Sequence, residues 1–190
     1  MPRIAPLEPP YPDAVGAELA AMMPPGMDPL LLFRTLARNP RILGKIRAAN
    51  LLDRGSLERR DRELVILRTC ARLGCEYEWG VHVTAFARRF GIPDPTIAGS
   101  VHWQADDPRW TDAERPLIRL VDELQREARV SDALWKELRD RFREDQIVEL
   151  LVLVGFYHTI SFVTNALQIE REPAGARFPG PTDLTGPHHR

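Results

Sequence analysis

The chain has 190 residues, with 27 acidic and 26 basic side chains and a formal net charge of −1. That length is typical of a single domain with a sizeable core, and the balanced charge gives no reason to expect nucleic-acid binding. Two cysteines do not form a disulfide framework, and the first residues lack the basic-then-apolar pattern of a signal peptide. We therefore expect a cytoplasmic protein.

The first half of the chain predicts a proline-rich extended arm over residues 1–12, followed by short helices. These helices cover residues 13–23, 30–37 and 40–52, the last opened by Asn39 as N-cap and Pro40 at the first helical position. Two further helices follow at 62–73 and 76–90. No two-residue alternation persists, so the sequence predicts an all-α fold without a sheet.

The second half continues the helical pattern. A short helix is predicted over 94–101, a capping box at Thr111–Glu114 opens a helix to about 128, and Ser131 caps one to about 141. Residues 145–167 form a long apolar helix. Its apolar run is shorter than a membrane span and contains Glu149 and His158, so we interpret it as a core helix. We expect a single domain over residues 1–170. The Pro/Gly-rich tail over 171–190 is expected to be mobile or to lie across a partner.

Four polar side chains of types that take part in catalysis lie within twenty residues of one another. Glu63 shares a helical stripe with Ile66, Leu67 and Cys70, and therefore points where apolar side chains point. Gly74 ends this helix, and the next one carries Cys75, Glu78 and His82 on one stripe. A hairpin joined by one glycine brings the two stripes together, so Glu63, Cys75, Glu78 and His82 are expected to line one cavity.

This stretch resembles the carboxymuconolactone decarboxylase and alkylhydroperoxidase D-like superfamily. The likeness is strongest over residues 56–100, through the runs Arg-Asp-Arg-Glu-Leu-Val-Ile-Leu-Arg and Glu-Tyr-Glu-Trp-Gly-Val-His, and weaker as far as Asn165. The peroxidase branch has a glutamate, a Cys-x-x-Cys twelve residues later and a histidine four residues after the second cysteine. Glu63, Cys75 and His82 match this pattern, but Glu78 replaces the second cysteine.

The resemblance implies an alkylhydroperoxidase D-like helical bundle and chemistry without a cofactor. Because Glu78 removes the vicinal dithiol, the pattern is closer to the decarboxylase-like branch. We expect acid–base decarboxylation or isomerisation of a small organic acid or lactone. The first alternative is thiol-dependent hydroperoxide reduction through Cys75. The second alternative is a binding scaffold without enzymatic activity. The resemblance also implies a homo-oligomer, and neither a nucleic-acid nor a membrane partner is expected.

Several interpretations stay open at this level. Glu63, Cys75, Glu78 and His82 are all metal-ligand types, although no second histidine stands at ligand spacing and no metal is expected. Cys75 at a helix start favours a thiolate that reacts with peroxide, whereas the position of Cys70 favours packing in the core. Residues 149–168 faintly repeat residues 63–82, which suggests a duplicated hairpin or a chance likeness of two apolar helices.

Overall fold

The computed structural model describes residues 1–49 and 51–180, and the regular structure in this part of the chain is helical. The elements in chain order are α1 (Asp13–Ala21), α2 (Leu31–Leu36), α3 (Pro40–Ala48), α4 (Arg59–Arg72), α5 (Glu76–His82), α6 (Asp94–His102), α7 (Arg115–Glu127), α8 (Asp132–Arg141) and α9 (Glu144–Leu167). A π-helical turn, Val83–Ala87, follows α5 directly. The predicted all-α fold is confirmed for the described residues.

Helix α4 lies at the centre of the molecule. Ten consecutive residues, from Asp61 to Cys70, are buried, because α5, α6, α7 and α9 all pack against this helix. A helix that is buried on every side has no polar face to give to solvent. Its charged side chains must therefore find partners inside the protein, and Glu63 is among them.

Arg68 shows how such a charge is accommodated. Its side chain is fully buried, and Nε and Nη2 donate to the two carboxylate oxygens of Asp122 at 2.8 and 2.6 Å. Nη1 donates to the carbonyl oxygens of Ser100 and Trp103. A bidentate pair completed by carbonyl acceptors compensates for the loss of hydration. Arg68 thus fixes α6 and α7 against α4.

Local capping signals agree with the observed helix starts. Asn39 Oδ1 accepts the Ile42 amide hydrogen at the start of α3, and Ser131 Oγ accepts that of Leu134 at the start of α8. The reciprocal Thr111–Glu114 hydrogen bonds are present, although they close a turn just before α7. Helix α4 begins three residues earlier than expected, at Arg59.

Two predictions about the helices, the continuous helix over 76–90 and the duplicated hairpin, differ from the structure. The predicted helix over 76–90 changes from α to π geometry after His82, so its stripe does not run on unaltered. The suggested duplication of the hairpin is not reproduced, because α9 is one uninterrupted helix where the α4–α5 segment turns at Gly74. The apolar repeat thus reflects two helices, α4 and α9, that pack against each other. Ile147, Leu150 and Leu153 lie on the buried side of α9.

The tail also differs from the expectation of a mobile or partner-draped segment. Residues 168–180, here called the C-terminal strap, lie across α5 of the same chain. Ala176 N donates to Gly80 O at 3.3 Å, Phe178 N donates to Glu76 Oε1 at 2.8 Å, and Pro179 O contacts His102 Nε2 at 2.8 Å. The remainder of the predicted tail, residues 181–190, lies outside the described residues.

The N-terminal arm is extended, as expected, and is anchored to the helices near it. Arg3 N donates to Leu167 O at the end of α9, and Leu7 N donates to Arg34 O in α2. The Arg34 guanidinium donates back to Leu7 O and pairs with Glu8. The arm therefore connects α2 with the end of α9.

Candidate active site

The turn between α4 and α5 determines how the two motif helices face each other. Gly74 has φ +62°, in the left-handed region that favours glycine. Its amide donates to Ala71 O at 3.1 Å, and the Cys75 amide donates to Cys70 O at 2.8 Å. This pair of hydrogen bonds is a Schellman motif. It ends α4 and starts α5 within three residues, so the buried sides of both helices meet.

Glu63 and His82 are in direct contact inside the protein. Glu63 Oε2 lies 2.6 Å from His82 Nδ1, and both side chains are almost completely buried. The second ring nitrogen, Nε2, lies 3.1 Å from the hydroxyl of Tyr157 on α9. A continuous hydrogen-bonded line therefore runs from Glu63 through His82 to Tyr157.

The two carboxylates around His82 control its charge. Burial alone would lower the pKa of His82, but Glu63 at Nδ1 and Glu78 near Nε2 outweigh it and raise that pKa to about 9. The ring therefore carries a proton on both nitrogens at neutral pH. Burial, together with the negative charges of Glu78 and Glu63, raises the pKa of Tyr157 well above its ordinary value, so its hydroxyl keeps its proton.

Glu78 connects this line to a cavity. Its Oε1 lies 3.5 Å from His82 Nε2, as expected for an i,i+4 pair, and its Oε2 is buried without a hydrogen-bond partner among the described residues. Glu78 and Tyr157 both line a partly enclosed cavity of about 120 Å³. A buried carboxylate oxygen without a partner is costly unless something supplies a donor.

The remaining walls of the cavity are mostly apolar and come from several helices. They are Ala21, Met22, Leu32, Phe33, Ile46, Leu52, Phe156 and Ile160, with Arg47 as a further polar group. Arg47 is half-exposed and holds Glu18 through Nε at 2.6 Å. The polar side chains of the cavity are therefore Glu78 and Tyr157 on one side and the guanidinium of Arg47, which is paired with Glu18, on the other. A larger open depression of about 830 Å³ is lined by the ion-paired Arg72 and Asp122 and does not include the motif residues.

Cys75 lies beside this arrangement and does not line the cavity. Its Sγ is 2.9 Å from Thr164 Oγ1, and the side chain has no solvent exposure. The expectation of a thiolate is not met. Burial raises the pKa of Cys75 more than the hydrogen bonds from Thr164 and the Glu78 backbone lower it. The start of α5 therefore holds a protonated thiol.

The four predicted site residues are thus close together but differently placed. Glu63, His82 and Glu78 form one hydrogen-bonded and ion-paired group, of which only Glu78 reaches the cavity wall. Cys75 contacts α9 instead. Both nitrogens of His82 are engaged, so metal binding would displace Tyr157. In residues 1–49 and 51–180, no three His, Cys, Asp or Glu side chains are grouped as a metal site.

Three other aromatic or imidazole side chains near the motif have structural contacts. Trp79 donates from Nε1 to Ser100 Oγ at 2.9 Å, and the Tyr77 hydroxyl contacts Glu172 of the strap at 2.5 Å. His158, which shares α9 with Tyr157, contacts Val154 O through Nδ1 and lies next to Phe162. Its ring therefore takes no part in the Glu63–His82–Tyr157 line.

Tyr157 and Thr164 were not identified from the sequence. A usable signal was present, because Tyr157, Ser161 and Thr164 stand at i, i+4 and i+7 on the stripe of α9 that also contains Leu150 and Leu153. Three polar side chains on an apolar stripe of a long helix indicate a polar contact inside the core. The partners lie more than seventy residues earlier in the chain, so no local spacing relates them.

Comparisons with known proteins agree with the geometry. Residues 40–123 match the model of the carboxymuconolactone decarboxylase family. No curated protein sequence matches the chain. Similar solved structures include a peroxidase-related protein from Silicibacter sp. TM1040, with 18% identity and a TM-score of 0.77 over 92% of this chain and 94% of that one.

Two further structures extend the comparison. The alkylhydroperoxidase AhpD core of a peroxidase-related protein from Ralstonia eutropha JMP134 is 17% identical, with a TM-score of 0.74 over 90% of this chain and 93% of that one. The debrominase Bmp8 is 15% identical, with a TM-score of 0.62 over 90% and 92%. The part of the chain over residues 40–123 thus matches the carboxymuconolactone decarboxylase family, and the chain shares the helical fold of these structures, an alkylhydroperoxidase AhpD core among them, as the sequence predicted.

Proposed function

We propose that the protein is an enzyme that catalyses acid–base chemistry, decarboxylation or isomerisation, on a small organic acid or lactone without a cofactor. The observation that carries this proposal is Glu78 Oε2, a buried oxygen without a hydrogen-bond partner in the wall of an apolar cavity. A substrate that presents an acidic C–H or O–H group would satisfy it. Glu78 then acts as the base that removes a proton and returns it.

The size of the cavity supports a small substrate. An engineered cavity of about 150 Å³ lined by apolar side chains holds one benzene molecule. The cavity of about 120 Å³ therefore has room for about one five- or six-membered ring. Its apolar walls favour a compound whose charge is small or confined to one end.

Tyr157 and His82 would supply the complementary acid. The imidazolium donates from Nε2 to the Tyr157 oxygen, which leaves the phenolic proton available to the cavity. A substrate oxygen that becomes negative in an enolate-like transition state would accept this proton or its hydrogen bond. In a decarboxylation, the same line would deliver the proton that replaces the carboxyl group. Glu63 would keep the ring charged and correctly oriented.

The first prediction is that Glu78→Gln abolishes enzyme-dependent proton exchange. A panel of small lactones and β-keto acids would be incubated with the protein in D₂O and followed by NMR. We expect wild type to exchange or decarboxylate at least one compound, with a roughly 100- to 10,000-fold loss in Glu78→Gln and a similar loss in Tyr157→Phe.

Matched controls are available in the same chain. Glu127→Gln alters an exposed carboxylate on α7, and Tyr11→Phe removes a hydroxyl that makes no hydrogen bond among the described residues. Both variants should catalyse proton exchange at the wild-type rate. Full activity in Glu78→Gln would contradict the assignment of the base. If wild type itself exchanges no compound of the panel, the non-enzymatic scaffold becomes the better hypothesis.

Hydroperoxide reduction is the second candidate, favoured by the nearness of Cys75 to a second thiol, Cys70. Cys75→Ser separates the two activities. Under the acid–base proposal it retains proton exchange within about tenfold, because its sulfur lies outside the cavity wall. Under the alternative, peroxide turnover in a dithiol-coupled assay is rapid in wild type and absent in Cys75→Ser.

A further inference from the structure

The two cysteines stand on either side of the turn that ends α4. In a Schellman motif, the residue that closes the longer hydrogen bond commonly packs its side chain against the residue whose carbonyl it contacts. Here these residues are Cys75 and Cys70, joined by the 2.8 Å bond between Cys75 N and Cys70 O. Both side chains are fully buried in the same core, and both thiols are free.

The surroundings of the thiols support their contact. Burial raises the pKa of Cys70, and the negative charge of an ionised Cys75 on the other side of the turn raises it further. The Ser161 hydroxyl on α9 lowers the pKa of both thiols and is itself buried. Cys75 contacts the same helix through Thr164, so both cysteines are buried where α4, α5 and α9 pack together.

We propose that Cys70 and Cys75 form an intramolecular disulfide when the folded protein meets a small peroxide, so that this turn is a modification site separate from the acid–base group. A disulfide needs Cα atoms about 4.4–6.8 Å apart, and a backbone hydrogen bond across the turn holds two residues within such a range. The pairing differs from the Cys-x-x-Cys pattern described above, because Glu78 stands where the second motif cysteine would be and Cys70 lies on the preceding helix.

The chemistry balances with a peroxide as the oxidant. The Cys75 thiolate attacks one peroxide oxygen, the O–O bond breaks, and an alcohol or water leaves while a sulfenic acid forms. Cys70 then attacks that sulfur, the S–S bond forms, and the hydroxyl group leaves as water. Two thiols lose two electrons and two protons, and one peroxide gains them to give one alcohol and one water.

Cys75 is the better first nucleophile of the two. Thr164 Oγ1 lies 2.9 Å from its sulfur, and the Glu78 backbone N–H also hydrogen-bonds to it. These donors stabilise a thiolate, whereas burial raises the pKa of Cys70 further. Since the pKa of each thiol is raised by burial, oxidation should be slow at neutral pH and faster in more alkaline solution.

Peptide mapping tests the proposal directly, because Arg72 lies between the two cysteines. Native protein would be treated with hydrogen peroxide, quenched in acid, alkylated and digested with trypsin without reduction. We expect peptide 69–72 to be joined to peptide 73–88, with the loss of two hydrogens, in a protein that stays monomeric on a non-reducing denaturing gel. Reduction with a dithiol should separate the two peptides.

Cys70→Ser is the informative variant. Without its partner, Cys75 should accumulate as sulfenic acid that reacts with dimedone, or as sulfinic acid, while far-UV circular dichroism reports on folding. Cys75→Ser should leave Cys70 unmodified at the same peroxide dose. Wild type that yields sulfinic acid at Cys75 without linked peptides, that links only between chains, or that stays fully reduced would overturn the proposal.

Discussion

His82 lies between two carboxylates within the core, and its protonation is therefore linked to folding. Glu63 and Glu78 raise the pKa of His82 from 6.5 to about 9, despite the opposing effect of burial. The folded state holds this proton more tightly than the unfolded chain does. The resulting stabilisation is fully present below pH 6.5 and is lost as the pH rises towards 9.

The corresponding prediction concerns the free energy of unfolding between pH 6 and 8.5. We expect wild type to lose on the order of 2 kcal/mol across this range in urea denaturation, because the folded protein keeps the His82 proton there while the unfolded chain has released it. His82→Gln should be less stable at pH 6 and show little of this slope. The cysteines do not add to it, since their raised pKa values act only above the ordinary thiol value of 9.

His158→Gln is the matched control, because His158 contacts a backbone carbonyl and Phe162 on α9. This variant should keep the wild-type slope. A wild-type stability that is flat from pH 6 to 8.5 would show that His82 is not held as an imidazolium in the folded protein.

The contact of Glu63 with His82 was predictable, because both residues stand on buried stripes of helices joined by one glycine. The role of Glu78 in the cavity wall followed from the same stripe. The protonation of Cys75 was not predictable from its position at a helix start. The dipole favours a thiolate there, but the depth of burial depends on α9, whose approach no local pattern encodes.

Among the elements, α5 is held from outside by the C-terminal strap. Thr84, in the π-helical turn that follows α5, donates to Ala174 O and accepts from Ala176 N. Phe178 packs edge-on against Trp79, with ring centroids 5.2 Å apart. Glu172 accepts from the Tyr77 hydroxyl and from the Leu31 amide. The strap therefore connects the helix that carries Glu78 and His82 with α2, which forms a wall of the cavity.

Gly80 permits this close approach, and Gly80→Ala should disrupt it. A Cβ at this position would lie 2.2 Å from Ala176 O, a backbone atom that cannot rotate away. We expect a loss of stability of about 1–3 kcal/mol and faster tryptic cleavage after Arg177 in the strap. Limited proteolysis followed by mass spectrometry measures the second effect.

Gly44→Ala provides the comparison within a helix. A Cβ at Gly44 meets no atom within 4 Å, so the substitution should stabilise α3 by roughly 0.5–1 kcal/mol and leave cleavage after Arg177 unchanged. Equal protection of the strap in Gly80→Ala and wild type would mean that the strap does not depend on contact with α5.

Helix positions were predictable to within a few residues because caps and apolar periods are local properties of the sequence. The strap was not, since its proline- and glycine-rich composition resembles that of unfolded segments. Its order comes from hydrogen bonds to Gly80, Glu76 and His102, which stand about eighty to one hundred residues earlier. Composition carries no information about such distant partners.

At the scale of the whole molecule, α9 has an exposed stripe without charged residues. It consists of Val148, Val152, Gly155, Thr159, Phe162 and Ala166, spaced by three or four residues, and Val148, Val152 and Phe162 are 60, 53 and 60% exposed. A continuous apolar surface of this kind marks an interaction site. Gly155, which has open space at its Cβ position, would allow another helix to approach closely.

We propose that a second copy of the chain covers this stripe, as the resemblance to the family implies. Light scattering at micromolar concentration should show a homo-oligomer for wild type and a shift towards monomer for Phe162→Glu, because a buried charge opposes association. Trp135→Glu removes an exposed aromatic on α8, outside the stripe, and should leave the mass unchanged. A monomeric wild type would contradict the proposal.

The order in which the ribosome releases the chain gives the strap another meaning. Glu63, Glu78 and His82 emerge early, whereas Tyr157, Thr164 and the segment that holds α5 in place come from the last quarter of the described chain. A nascent chain that has exposed the whole motif still lacks α9, which contacts His82 and Cys75, and the strap, which holds α5 in place. Synthesis therefore has to pass α9 and the strap before the motif residues gain their partners, and a product that stopped before α9 would carry the motif without the site.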